Sequence, residues 1–397
     1  MSDFKSLNLL PSIMKAIENK GYEVPTPIQS QAIPHLLKGK DLLGIAQTGT
    51  GKTAAFSLPI LNRLAENKVK TKPARVRTLI LTPTRELASQ IDLNVKLYGK
   101  GLKLFSTVIF GGVGHRPQIQ AMSKGVDILV ATPGRLLDLM NDGHVLFEQL
   151  EVFVLDEADR MLDMGFIRDV KKIISKLPEK RQTLLFSATM PNDISMLATS
   201  LLKDPVRVEV TPQATTVEKI EQNVNLLERS NKPLLLKSIL KNRSFKRVLV
   251  FTKTKHGADR VVKHLDKESI LSAAIHGNKS QGARERALGN FRAGKIRVLV
   301  ATDIAARGID VSNVSHVINY NLPDDPKSYV HRIGRTARAG NNGVAISFCD
   351  ESEVKLLKSI EKFIKCKVPV DKTHPYHGAP PHLSKNPQAN RNKNRRK

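Results

Sequence analysis

The sequence predicts an α/β protein built from two successive domains, each a mostly parallel sheet covered by helices, followed by a disordered basic tail. Three observations carry the prediction. Apolar, β-rich runs alternate with helix-length segments along most of the chain. The alternation breaks around Lys203 to Thr216, where Pro205, Pro212 and a Thr-rich patch interrupt it, and then restarts with the same rhythm. Nearly every apolar run of the first half ends in a polar or glycine-rich motif, and the carboxyl ends of the strands are where an open α/β sheet presents its ligand sites. The expected bounds are a first domain over 1–207, a linker over 208–216, a second domain over 217–370 and a tail over 371–397.

In order, the strand candidates of the first half are Leu42 to Ala46, Thr78 to Thr82, Ser106 to Phe110, Asp127 to Ala131, Val152 to Leu155 and Thr183 to Ser187. Those of the second half are Arg247 to Thr252, Ser272 to His276, Arg297 to Thr302, His316 to Tyr320 and Gly343 to Phe348. The tail holds Pro375, Pro380, Pro381, Pro387, several Asn and the cluster Arg391, Lys393, Arg395, Arg396 and Lys397. Such a composition buries too little to fold alone. Its basic cluster reads as a non-specific RNA-binding arm or, alternatively, as a targeting signal.

At 397 residues and 40% hydrophobic content the chain can build ordinary packed cores. No apolar run approaches the roughly 18 residues of a membrane span, and Met1 to Leu10 has no signal-peptide pattern. A cytoplasmic monomer with no membrane partner is expected. Only Cys349 and Cys366 are present, which excludes a disulfide framework and a cluster of soft metal ligands. The formal net charge of +27 points to a polyanionic partner, and the body is basic as well as the tail; a basic surface that serves solubility alone is the alternative.

Ala46, Gln47, Thr48, Gly49, Thr50, Gly51, Lys52 and Thr53 follow an apolar run and open a helix-like one. A strand, a small-residue loop and a helix start gather backbone N–H groups around one anion. Lys52 then reaches the outer phosphates and Thr53 can hold Mg²⁺. Ala46 stands where the general pattern has Gly. Val152 to Asp159 is an apolar strand ending in carboxylates: Asp156 can hold Mg²⁺, with Glu157 beside it able to orient and deprotonate the attacking water. An acidic helix start favoured by the macrodipole is the alternative. Arg332, Arg335 and Arg338 fall within eight residues of the second half, and a guanidinium meeting the charge that develops on a triphosphate accelerates hydrolysis. Solvated surface or phosphate-backbone contact would also explain such a segment. Val248 to Lys255 sits where a second phosphate loop could be and has no GKT, so one nucleotide site is expected.

Together these residues resemble the DEAD-box RNA helicases, and within them the bacterial RhlE type. The motifs occur in order: Gly21 to Gln29, AQTGTGKT at 46–53, PTRELA at 83–88, GG at 111–112, TPGR at 132–135, DEAD at 156–159, SAT at 187–189, VLVFTKT at 248–254, ATDIAARGID at 301–310 and HRIGRTAR at 331–338. Ala46 is ordinary in that family, while Ala337 stands where it often has Gly, a change expected to matter little.

The resemblance implies two RecA-like domains, ATP and Mg²⁺ as cofactors and RNA as partner. It gives Gln29 the adenine edge, Tyr22 a stacking role on its ring and Asp310 the ribose, with Thr26 and Gly308 also at the nucleotide. Arg335 and Arg338 are to meet the γ-phosphate. Asp159, Ser187, Thr189, Asp303 and His331 are to couple hydrolysis to closure of the domains. Pro83, Thr84, Arg85, Gly111, Gly112, Thr132, Pro133, Gly134 and Arg135 match positions that hold the RNA backbone from the first domain. Gly277, Arg284, Thr302 and Arg307 match such positions in the second. Glycines, hydroxyls and arginines bind phosphate without reading bases. Ribosomal-precursor or RNA-decay machinery would be the setting. An RNA-loaded scaffold and a DNA-directed motor are the other readings, since backbone contacts alone do not announce the 2′-OH.

Overall fold

The structure is a computed structural model, and it describes residues 3–47, 49–210, 220–306, 314–337 and 343–377. These form two compact units.

The first unit opens with α1 (Pro11–Asn19) and α2 (Pro27–Leu37) and continues with β1 (Leu42–Ile45), α3 (Lys52–Glu66), β2 (Val76–Leu81), α4 (Arg85–Tyr98), β3 (Ser106–Ile109) and α5 (His115–Met122). Next come β4 (Val126–Ala131), α6 (Pro133–Asn141), β5 (Val152–Leu155), α7 (Ala158–Asp163), α8 (Ile167–Ile174), β6 (Gln182–Ser187), α9 (Asn192–Leu201) and β7 (Val206–Glu209). The strands form one sheet in the order β3-β4-β2-β5-β6-β1-β7, with every pairing parallel. Successive residues of a strand point to opposite faces. Val152 and Val154 of β5 therefore join one core with Ile80, Leu184 and Phe186, while Phe153 and Leu155 join the other with Leu79, Leu81 and Leu185. Burial on both faces is why these strands read as continuous apolar runs.

The second unit runs β8 (Ile220–Leu226), α10 (Lys232–Lys241), β9 (Val248–Phe251), α11 (Lys255–Lys267), β10 (Ser272–Ile275), α12 (Gln281–Arg292), β11 (Val298–Ala301) and α13 (Asp303–Ala306). It closes with β12 (His316–Asn319), α14 (Pro326–Ile333), β13 (Gly343–Cys349) and α15 (Val354–Ile364). Its sheet, also parallel, has the order β10-β11-β9-β12-β13-β8.

Three features differ from the sequence reading. Val208 and Glu209, expected in the linker, belong to β7, which pairs with β1. Residues 371–377 still pack on the second unit: Asp371 N donates to Val224 O at 2.9 Å, and Tyr376 packs against that unit's core. The remainder of the tail lies outside the described residues. Finally, the two strand orders match when each strand of the first sheet, β7 aside, is advanced by seven. The counterpart of β1 is therefore β8, and the segment 248–255 corresponds to β2 and the start of α4.

Candidate functional site

The loop between β1 and α3 is shaped by what surrounds it. Gly51 caps α3 at φ +96°, and a side chain there would strike Gln29 Nε2 at 2.5 Å and Thr26 Oγ1 at 2.8 Å. Gln29 is buried and bridges two segments: its Oε1 accepts from Thr26 N at 2.9 Å and its Nε2 donates to Gly51 O at 3.2 Å. Gln29, expected at the adenine, and Thr26, expected at the nucleotide, are thus fastened to the loop expected at the phosphates. Tyr22 is exposed, its hydroxyl 3.3 Å from that of Tyr98. Lys52 is buried at the head of α3 and donates to Ala46 O at 2.9 Å, and Thr50 Oγ1 donates to Gln47 O at 2.8 Å. Thr53 follows in the first turn of the helix, while Thr48 lies outside the described residues.

Two strands from β1, β5 delivers the carboxylates. Asp156 is buried with its Oδ1 lacking a hydrogen-bond partner, and burial pushes its carboxyl up to about 7 despite the pull of Lys52, with Glu157 adding to the rise. A carboxylate so deprived of solvent suits a cation. Glu157 takes the left-handed conformation, φ +55° and ψ +51°, strained for a residue with a Cβ. Its Oε2 receives Arg160 Nη1 at 2.6 Å, and both side chains are buried. Asp159 turns to the end of β6: its Oδ2 accepts from Thr189 N and Thr189 Oγ1, both at 2.9 Å, and Ser187 Oγ donates to Thr189 O at 2.7 Å. Ser187 O in turn accepts from Ala46 N at 3.0 Å, which ties this cluster to the loop after β1.

The residues expected at RNA leave the carboxyl ends of β2, β3 and β4, on the other half of the same sheet. Pro83 is buried, and Thr84 caps α4, accepting from Leu87 N at 3.3 Å. Arg85 lies against Gly111 and Gly112; a Cβ on Gly112, whose φ is +80°, would collide with its guanidinium. Arg135 Nη1 donates to Val113 O at 3.0 Å, so a second arginine secures the same loop. Thr132 caps α6, Pro133 opens it, and Gly134 faces open space. That helix start presents backbone N–H groups to any phosphate above it.

In the second unit Gly277 also faces open space, directly after the buried His276, which is bound to Asp259 Oδ1 at 3.0 Å. Arg284 is buried on α12, and Thr302, directly after β11, is half-buried. Arg335 is buried, its Nε donating to His331 O at 3.3 Å, and both line one depression with Asp303. Arg307, Gly308, Asp310 and Arg338 lie outside the described residues. Ala337, expected to matter little, has φ +54°, a conformation that a Cβ makes costly.

Four residues have positions that sequence reasoning missed. Arg332 is buried, doubly bonded to Asp303 at 2.6 and 2.7 Å, and donates to Asn321 O at 2.6 Å; it is a structural anchor beside Arg335. Gln118 clamps the glycine loop, accepting from Phe110 N at 2.9 Å and donating to Gly114 O at 3.1 Å. Arg160 holds Glu157, as described. Thr254 caps α11 by accepting from Gly257 N at 3.0 Å, as Thr84 caps α4. The paired sequences Thr82-Pro83-Thr84-Arg85 and Thr252-Lys253-Thr254-Lys255 held that last signal.

Residues 26–197 match the profile of the DEAD/DEAH box helicase family, and residues 231–340 match the helicase conserved C-terminal domain. The DEAD-box ATP-dependent RNA helicase CshA of Bacillus cereus is 43% identical over 368 residues, which is 93% of this chain and 69% of that protein. The chain belongs to the DEAD-box ATP-dependent RNA helicases. Solved structures agree. Saccharomyces cerevisiae Dbp5 bound to RNA and ADP BeF3 is 32% identical with a TM-score of 0.82, covering 94% of this helicase and 96% of that chain. The DEAD-box helicase Mss116 bound to ssRNA and UDP-BeF is 30% identical with a TM-score of 0.84, covering 94% and 81%. The helicase accordingly has tandem RecA-like domains and is an ATP-hydrolysing enzyme that acts on RNA. Among its described residues no helix is long and apolar enough to cross a membrane.

Proposed function

We propose that the helicase is an ATP-gated clamp: ATP and single-stranded RNA together close its two domains, the bound strand bends and sheds its partner over a short duplex, and hydrolysis reopens the clamp. One observation carries the reading. The motifs expected at ATP end β1, β5 and β6, those expected at RNA end β2, β3 and β4, and β2 lies directly against β5. This supports a reading in which both ligands share one sheet edge, and the bonds joining Asp159, Thr189, Ser187 and Ala46 run along the half proposed for ATP.

In this account Gln29 reads the adenine edge, Tyr22 stacks on its ring, Thr26 lies at the nucleotide, and Lys52 with the N–H groups at the head of α3 holds the phosphates. Mg²⁺ held by Thr53 and Asp156, with Glu157 adjacent, supplies charge neutralisation for phosphoryl transfer. Glu157 orients the attacking water and takes its proton, and Arg335 and Arg338 meet the charge developing on the γ-phosphate. His331 and Asp303 carry the coupling in the second domain. Thr84, Arg85, Thr132, Arg135, Arg284, Thr302 and Arg307 hold phosphates without reading bases, so recognition is largely independent of sequence. The setting is the cytoplasm, with ribosome assembly or RNA decay as the process. The RhlE-like subtype is a narrower reading than the CshA relative carries.

The test is Glu157→Gln. Turnover is expected to fall to background while RNA is still bound in the presence of ATP. Wild-type turnover in that variant would remove Glu157 from the role of base.

A further inference from the structure

α15 carries lysines that none of the motifs uses. Lys355, Lys358, Lys362 and Lys365 are all exposed. At 3.6 residues per turn Lys355, Lys358 and Lys362 fall within an arc of about 60° and extend over about 10 Å, and Lys365 caps the end of the helix in the left-handed conformation. That arc lies opposite Ile360, which is fully buried. None of the four makes an ion pair among the described residues. The neighbouring carboxylate, Glu361, is already engaged by Lys367 Nζ at 2.8 Å and Val368 N at 3.1 Å. Between the lysines is an open depression of about 280 Å³, lined by Lys358, Glu361, Lys362, Lys365, Cys366 and Lys367.

Like charges three and four residues apart repel along a helix, so the row costs stability unless an anion meets it. The fold does not require it. α9 follows β6 as α15 follows β13, and its sequence, NDISMLATSL, has no lysine. Phe363, the exposed aromatic of α15, points off the row, so the surface offers charge and no stacking platform.

The geometry points to a second RNA-binding surface on α15, one that takes the phosphate backbone of the duplex flanking the strand held by the motifs. A straight row of about 10 Å is long enough to meet about two or three successive phosphates of one strand. β13, from which α15 departs, is three strands from β11, roughly 14 Å at the usual strand spacing. The row is thus displaced from Thr302, so the RNA that it takes is a part flanking the strand held there. This rests on the reading of the helicase as a clamp on single-stranded RNA.

The test uses the full chain with Lys358→Glu, Lys362→Glu and Lys365→Glu together. A control carries the same charge change on the exposed Lys171, Lys172 and Lys176 of the first domain, each to Glu. Maximal ATPase activity at saturating single-stranded RNA reads the clamp, and the salt dependence of binding to a duplex with a single-stranded tail reads α15. The α15 variant should keep its maximal ATPase, bind the tailed duplex roughly ten-fold more weakly and show a log–log salt slope flatter by about two to three, while the control changes little. Unchanged affinity and slope, or an equal loss in the control, overturns the proposal. Lost binding to anionic vesicles with RNA binding intact overturns it in favour of a membrane surface. A wild-type ATPase indifferent to single-stranded RNA would sink the clamp reading instead, and the duplex salt slope would still decide the role of α15.

Discussion

Two helices begin with a lysine at equivalent places in the two sheets, and the lysines are used differently. α3 follows β1 and opens with Lys52, capped by Gly51, with a buried, unsatisfied Asp156 oxygen nearby to which Lys52 is electrostatically coupled. α10 follows β8, the counterpart of β1, and opens with Lys232. That ammonium is buried between Asp350 Oδ2 at 2.9 Å and Glu353 Oε2 at 2.5 Å, and Pro233 in the first turn removes an N–H that an anion would need. On the proposed reading the first lysine serves a helix start that takes a phosphate. The second is consumed by the fold. What makes a strand–loop–helix a nucleotide site is therefore the cation and N–H groups left for the ligand, more than the topology.

Substituting each lysine should separate the two uses. Lys52→Ala should lower ATP turnover by at least about a hundred-fold with little change in the unfolding midpoint, because it removes charge stabilisation from the reaction. Lys232→Met should do the converse. It leaves two carboxylates without their cation, so urea unfolding should show a loss of about 3–5 kcal/mol in the second domain. Burial alone would raise the Asp350 carboxyl, but hydrogen bonds from Ser352 and Lys232 hold it below the usual carboxylate range. A depressed carboxyl stabilises the fold above its unfolded pKa and loses that contribution as pH falls through the folded value. The gap between wild type and Lys232→Met should accordingly narrow below about pH 4.

A smaller effect tests the end of the second sheet. Removing residues 378–397 should leave thermal unfolding unchanged while flattening the salt dependence of RNA binding. Removal from Asp371 should also lower the melting temperature, because it strips the hydrogen bond to β8 and the packing of Tyr376. Equal melting curves for the two truncations would contradict the packing described here. The smallest effect is at Ala337. Replacing it with Gly relieves the Cβ penalty at φ +54° but enlarges the unfolded ensemble, so a net gain of about 0.5 kcal/mol is expected.

The central strands were legible because burial on both faces writes them as apolar runs, as in Val152 to Leu155. The edge strands β3 and β10 were legible too, but the opposite edges, β7 and β8, were not. β7 reads VRVE and β8 reads IEQNVNL, each half-solvated and polar enough to pass for linker. With β8 missed, the counterpart of the phosphate loop was sought after β9. At the site, motifs led to Lys52, Asp156, Glu157 and the Asp159–Thr189 pair, since the chemistry fixes residue type and spacing. Partners that depend on three-dimensional packing left no local pattern: Arg332 on Asp303, Gln118 across the glycine loop and the buried Arg77 on Glu151 at 2.6 Å.

The clamp account is tested most directly by ATP hydrolysis of the purified chain without nucleic acid, with single-stranded RNA and with DNA of the same sequence, using Glu157→Gln as the blank. Strong stimulation by RNA alone is the predicted result. High turnover without RNA, or equal stimulation by DNA, would contradict it.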